Sequence, residues 1–573
     1  MKINKDQNKS FNAKNHKEMT NSFENKGESF EAIKIYKELI SKEKSNFKLY
    51  LKLSENYINI GDTKNSIDCL KKAIKLKPDF AQAHFKLGYL YQIKNEINSA
   101  IISYKRAIES NSNFSEAYNN LGIALKDIGK YFEAINCFRE VIRLNPNFPA
   151  AYNNIGLIFH ENGKFNYAIA SYKKAIQLNN NFADAYFNLG NTYLKEDKLC
   201  ESIECYEKSI NLNPRSINSY INISFSQKEL GNFSESINSL KKALNLEPNN
   251  LLALNNLSIL YLLLGDYKSG WNNYNIYGVQ SEKEKYFLSH KQLIIPSWNG
   301  ESLESRDKLL VICEHGLGDT LQFMRYIKYL TKKKIDVSFC PQENLRDLVK
   351  VSNIHNNPIS NEEAKSISDG RWTSILALPK FLKVSDSEPL INSSYLRTKN
   401  SLVDKWKSIL SIEKKPIVGI NWQGNKEYGS QIGRSFPLDL FSIISKRNEV
   451  TFLSLQKGYG SEQLRSCTFM DKFVGCQNQI DHVWDFLEIA AIIKNCHLII
   501  TSDTSVAHLS GGLGKETWLL LKYVPEWRWG LKDNKSSWYN SMRIFRQKKR
   551  GDWLEVMERV SLKLENKIKH FEK

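Results

Sequence analysis

Two patterns of apolar positions divide this chain. Up to about residue 284 apolar residues recur at helical spacing, in short paired segments such as "AYNNLGIALKD" and "AINCFREVIRL". Beyond it, short apolar runs alternate with helical stretches, the pattern of an α/β region with parallel sheets. Strands are predicted at Lys308–Cys313, Asp336–Cys340, Ser374–Ala377, Ile417–Asn421, Val450–Ser454 and His497–Ile500, with a further apolar run at Trp518–Leu521. "LQFMRYIKYL" reads as an amphipathic helix, and a last helix is predicted over Trp553–Phe571. A break near 400–415 splits this region into two sheet halves with a cleft between them.

The helical half is internally repetitive. Gly27, Gly61, Gly129, Gly163, Gly231 and Gly265 lie on a 34-residue grid, with Asn95 and Asp197 filling its gaps. Pro78, Pro146, Pro214 and Pro248 share the period, as do Ala100, Ala134 and Ala168, each followed four residues later by an aromatic (Tyr104, Phe138, Tyr172). This resembles the tetratricopeptide repeat, in which small residues let paired helices approach and a proline ends the second helix. Seven repeats are counted over roughly 47–284, after a partial leading unit in 1–46. "IIPSWNGESLESRD" reads as a linker, giving 285–305 for the linker, 306–412 for the first sheet half and 413–573 for the second.

One further column has the same period: Asn120, Asn154, Asn188, Asn222 and Asn256, each in the first helix of its repeat. These residues either line a merely solvated groove or pair with the backbone of a bound peptide, since an amide side chain both donates and accepts. The column resembles the asparagine ladder of protein O-GlcNAc transferases. That implies an extended protein or peptide partner in the repeat groove.

Two glycine-bearing corners follow strands, where open α/β sheets bind ligands. The first, "EHGLGDT", offers Gly316 and Gly318 for close approach of a nucleotide-sugar donor and sets Asp319 at a helix start. Asp319 either caps that helix or takes a proton from an acceptor hydroxyl. The second, "TSDTSVAHLSGGLG", sets Thr504 and Ser505 at a helix N-terminus suited to an anion such as a phosphate. Asp503 beside it either takes a sugar or ribose hydroxyl or orders the loop. His508 either reaches a diphosphate as a cation or is a satisfied core histidine.

Together these segments resemble the GT-B glycosyltransferases of the ADP-heptose type, glycosyltransferase family 9. "GLGDTLQF" is similar to the family's Gly-Asp, which implies Asp319 as catalytic base. "GRSFP" resembles its basic-x-aromatic-Pro segment, which implies Arg434 on the donor phosphates. "SDTSVAHLSGGLG" resembles its Asp-Thr-Gly-x-x-His donor corner, with Ser505 in place of the glycine, and so carries over Asp503, Thr504, Ser505 and His508. The likeness extends through "GINWQGN", "SLQKG" and "PEWRWGLKDNKSSWYNSMRIFRQ", which implies that Gln456 shapes the nucleotide-sugar pocket and that Trp422, Trp527 and Trp529 either shape it too or pack in the core. Arg528, Arg543 and Arg546 are read as braces of the C-terminal segment. The resemblance implies inverting transfer from a nucleotide-diphosphate sugar, with no metal and no other cofactor.

Composition adds little to this. The excess of 81 Lys and Arg over 62 Asp and Glu, a net +19, is spread widely and carries no nucleic-acid recognition motif. Nine cysteines without a C-x-x-C pair suggest neither a zinc knuckle nor a disulfide framework. With no apolar run near 18 residues and no signal-like start, the expectation is a cytoplasmic protein without a transmembrane segment. Self-association into a homo-oligomer is common for such arrays and stays open. The fold class expected is therefore multi-domain, an all-α repeat superhelix followed by a GT-B-like pair of parallel-sheet halves. The function expected is glycosyl transfer to an acceptor, a protein, recruited by the repeats. The alternative is a non-catalytic scaffold with a degenerate transferase domain.

Overall fold

A computed structural model describes residues 29–274, 293–313, 316–385, 390–424, 433–446 and 449–571. Gly27 of the glycine grid and residues 285–292 of the expected linker lie outside them. A helix at Ser29–Lys42 precedes seven helix pairs, the first Phe47–Asn59 with Thr63–Leu76 and the last Leu251–Leu263 with Tyr267–Asn273. The glycine grid makes the turn inside a pair. Gly61, Gly129, Gly163, Gly231 and Gly265 have φ between +70° and +85°, and Asn95 and Asp197 adopt +60° and +65° in the gaps. A Cβ is costly in that region, least so for Asn and Asp, so the grid is a backbone requirement.

A second glycine column, not singled out from the sequence, packs the two helices of a pair. A Cβ at Gly88, Gly122, Gly156 or Gly190 would fall 2.6–2.8 Å from the ring of Tyr104, Phe138, Tyr172 or Tyr206. Those rings are fully buried, so each fills the notch its glycine leaves.

The chain separates into two compact units, one ending at Pro214 and one spanning Arg215–Lys573. The boundary thus falls inside the repeats, not at the expected 284. The reason is packing, because the last two helix pairs share a core with the α/β region. Leu240, Leu257, Leu260 and Trp271 cluster with Trp527 and Trp538. Trp271 meets Trp527 edge-on at 5.5 Å and donates through Nε1 to the Val384 carbonyl at 2.8 Å.

The second unit holds two parallel sheets. The first, ordered β2-β1-β3, consists of β1 (Lys308–Ile312), β2 (Asp336–Cys340) and β3 (Arg371–Ser374). The second is ordered β5-β4-β6-β7-β8, from β4 (Ile417–Asn421), β5 (Thr451–Ser454), β6 (Leu498–Ser502), β7 (Thr517–Leu521) and β8 (Met542–Arg546). The strand expected at Ser374–Ala377 ends where that prediction begins. There the Ser374 hydroxyl accepts from Leu376 N–H and turns the chain into a 3₁₀ turn. β8 was not anticipated, since "MRIFR" interleaves arginines with its apolar residues.

The expected linker also differs. Between residues 293 and 305 the chain is tied to β3, with Trp298 N–H donating to the Trp372 carbonyl at 2.7 Å and Trp372 N–H to that of Pro296 at 3.0 Å. The final helix, Trp553–Phe571, lays Val556, Met557, Val560 and Leu564 onto the core beside the five-stranded sheet, with Phe436, Phe441 and Trp518. Its basic residues are the polar side of an ordinary amphipathic helix.

Candidate functional site

The two corners meet. The helix Leu317–Phe323 after β1 packs against Ser505–Gly512 after β6. A Cβ on Gly318 would lie 3.1 Å from His508 Cδ2, so this glycine is small for the sake of helix contact, where the sequence assigned it to the ligand. Gly316 is the N-cap at φ −59°, an ordinary backbone with no need of glycine. Asp319 does not cap its helix. Its carboxylate accepts from Arg528 Nη2 at 2.9 Å, while Nη1 of the same guanidinium reaches Gln322 Oε1 at 2.8 Å and Nε reaches Glu526 Oε2 at 2.6 Å. Arg528 is thus a brace, as expected, and it joins the two sheet halves.

Beneath the second corner, the C-terminal ends of β4, β5 and β6 are knitted together. Asn421 accepts from the Thr504 hydroxyl at 2.9 Å and donates to Gln456 Oε1 at 2.9 Å. Gln456 Oε1 also accepts from the backbone of Trp422 and Gln423, and its Nε2 donates to the carbonyls of Gln423 and Tyr459. Gln456 is therefore a fully engaged bracket, a correction to its reading as a donor ligand. The Thr504 hydroxyl is likewise spent on Asn421, which leaves the backbone N–H groups starting at Ser505 as what this helix offers an anion.

His508 is buried, its Nδ1 2.9 Å from the Tyr539 hydroxyl and its ring stacked on Trp529 at 5.4 Å. Burial, reinforced by Arg528, Arg325 and Arg434, holds it well below the usual imidazole range. The side chain is neutral near pH 7, so the expected cationic contact with a diphosphate is replaced by a packing role. Of the tryptophans, Trp527 lines the site described next, Trp529 covers His508, and Trp422 is buried in the core under the sheet.

A cavity of about 260 Å³ opens beside these elements. Arg434, Asp503, Lys522, Glu526 and Trp527 form one side of it, and Lys228, Glu229 and Asn256 of the last repeats form the other. Arg434 donates through Nε to the Asp503 carbonyl and lies 3.8 Å from its carboxylate. No hydrogen bond reaches its Nη nitrogens among the described residues, and its side chain is 33% exposed. Glu229 is buried between Lys522 at 2.7 Å and Lys228 at 3.2 Å. Burial opposes its charge, but the two ammonium groups outweigh burial and hold the carboxyl below its ordinary range. Sequence reading had not flagged Glu229, Lys522, Glu526 or Asn421. They belong to no grid; Asn421 and the Glu229–Lys522 pair are set by partners 35 to 293 residues away, and Glu526 by Arg528 two residues on.

The asparagine column is partly internal. Asn188 Nδ2 donates to Asn153 at 3.0 Å, and Asn154 Nδ2 to Asn119 at 3.4 Å, so consecutive repeats are hydrogen-bonded through it. Asn120 takes a similar bond from Asn119 at 3.2 Å. Asn222 and Asn256, in the second unit, are half-buried, and Asn256 alone of the column lines the cavity.

Family models now bear on the helical half. Models described as TPR repeat match residues 55–94, 124–163 and 156–197, and tetratricopeptide repeat models match 81–114, 103–136, 183–216 and 217–250. The helix pairs are tetratricopeptide repeats. Similar solved structures include MamA, at 30% identity over 29% of this chain and 96% of that one, TM-score 0.28. Others are Pseudomonas aeruginosa PilF (22%, 37% and 96%, 0.33) and YrrB, titled a TPR protein with an unusual peptide-binding site (22%, 33% and 97%, 0.28). No curated protein matches the chain. Among the described residues, no helix is long and apolar enough to cross a membrane.

Proposed function

We propose that the second unit is a GT-B glycosyltransferase, taking a sugar from a nucleoside-diphosphate donor to a hydroxyl of a protein segment recruited by the tetratricopeptide repeats. The observation that carries this reading is the shared cavity. Asn256 of the repeat column faces the same space as Arg434 and Asp503, the residues the family resemblance assigns to the donor. An acceptor held by the repeats and a donor held by the sheet would meet there. At about 260 Å³ the space falls short of the roughly 300–1,000 Å³ of whole ligand pockets, so it suits the reacting ends, the sugar with its diphosphate.

The charge distribution supports this. The diphosphate leaving group needs positive partners as its charge develops. The Arg434 Nη nitrogens in the cavity, and the first N–H groups of Ser505–Gly512 next to its Asp503 wall, are what the site offers. Asp503 would hold a sugar hydroxyl. The reading as a scaffold draws on the engaged Gln456 and Thr504 and on the neutral His508. The two are separated by titrating the full chain with ADP, GDP, UDP and one nucleotide sugar of each, following thermal unfolding. A ligand at 100 times its Kd adds about 2.7 kcal/mol of stability. The transferase reading expects such a shift with one nucleotide series and its loss in Arg434→Ala. No shift with any member would leave the scaffold.

A further inference from the structure

Transfer to a hydroxyl needs a base, and the family resemblance points to Asp319 for it. In this chain Asp319 and Glu526 share the Arg528 guanidinium, but Asp319 is not among the residues lining the cavity. Glu526 is. It follows Pro525, with extended backbone at φ −65°, ψ 148°, and caps the 3₁₀ turn Trp527–Trp529. Only one of its oxygens is engaged, Oε2 accepting from Arg528 N–H at 3.0 Å and Arg528 Nε at 2.6 Å. No hydrogen bond reaches Oε1 among the described residues, and 34% of the side chain stays open. The same wall carries Arg434 and Asp503, and Asn256 faces it.

On the reading of this unit as a glycosyltransferase, we propose that Glu526 is the catalytic base and that Arg528, shared between Glu526 and Asp319, is its positioning residue. The acceptor O–H proton passes to Glu526 Oε1 as the acceptor oxygen bonds to the anomeric carbon. The bond from that carbon to the diphosphate oxygen breaks, and its electron pair leaves on the diphosphate beside Arg434. The proton is later released to water. The electrostatics agree with the geometry. Enclosure by protein raises the Glu526 carboxyl above its ordinary range, helped by the charge of Asp503 and opposed by Arg528. The charged groups facing it across the cavity are Arg434, Lys522, Lys228 and Glu229.

The test uses the full-length chain and the nucleotide series, of ADP, GDP and UDP, that stabilises it. Release of the nucleoside diphosphate from the matching nucleotide sugar is measured from pH 4.5 to 8, with water as acceptor, in wild type, Glu526→Gln, Glu526→Asp and Asp319→Asn. We expect Glu526→Gln to lose about 10²-fold or more in kcat, with the thermal shift given by the nucleoside diphosphate intact. It should also lose the acid limb of the wild-type profile. Glu526→Asp should restore part of the rate. Activity of Glu526→Gln within twofold of wild type, or an acid limb lost only in Asp319→Asn, would overturn the assignment and leave the transferase reading standing. A wild-type chain that no nucleotide stabilises would remove that reading and this proposal together.

Discussion

The helix pairs before Pro214 and those after it are built alike and held differently. In the first unit one contact recurs, a ring seated in a glycine notch, at Gly88, Gly122, Gly156 and Gly190. In the second unit the last two pairs are fixed by contacts that occur once. Lys522 is paired to buried Glu229, and Trp271 is wedged against Trp527. A repeated contact makes an array that can be lengthened or shortened. A singular contact commits particular repeats to a particular neighbour, and it is there, at Asn256 and Glu229, that the repeats contribute to the cavity.

If that contrast is right, the largest loss should come from the singular contacts. Lys522→Ala leaves Glu229 buried with Lys228 as its remaining ammonium partner. It should destabilise the second unit by about 3–5 kcal/mol in denaturant unfolding. The double replacement Lys522→Met with Glu229→Leu removes both charges and should recover most of that loss. Acid is a milder way to break the pair. The folded-state pKa of Glu229 is depressed, so its contribution is present above its ordinary value near 4.5 and is lost as pH falls through the lower folded value. Unfolding followed between pH 6 and 3 should therefore show an acid-side loss that is reduced in Glu229→Gln.

Notch contacts should give smaller and strictly local effects. Gly156→Val forces a side chain toward Tyr172 and should cost roughly 1–3 kcal/mol in the first unit while leaving nucleotide stabilisation unchanged. Smallest of all, Asn188→Ala removes one hydrogen bond on a half-buried surface, about 0.5–1.5 kcal/mol. A loss of affinity for a peptide ligand larger than this loss of stability would mark the column as a binding ladder.

What could be read beforehand follows the same division. Seven pairs, their turn glycines and the substitutes Asn95 and Asp197 were legible because a backbone requirement repeats every 34 residues. Strands were legible where both faces are buried, as at Ile417–Asn421, all of whose residues are buried. They failed where one hydroxyl turned the chain at Ser374 or where arginines interrupt β8. Of the site, both corners and Arg434 were visible as local motifs. The roles of Gln456, Thr504, Gly318 and His508 were not, because each is set by a partner far away in sequence: Asn421, Tyr539, or the neighbouring helix. Glu526 is a single carboxylate in "PEWRW", and nothing local distinguishes it from an N-cap.

The central claim is that donor and acceptor meet in the cavity shared by the last repeats and the five-stranded sheet. A crystal of the full chain soaked with the nucleoside diphosphate that stabilises it tests this most directly. The account predicts the phosphates within hydrogen-bonding reach of the Arg434 guanidinium and the Ser505 N–H, with the terminal phosphate toward Asn256 and Glu526. Phosphates bound elsewhere on the chain, with Arg434 still turned only to Asp503, would contradict it.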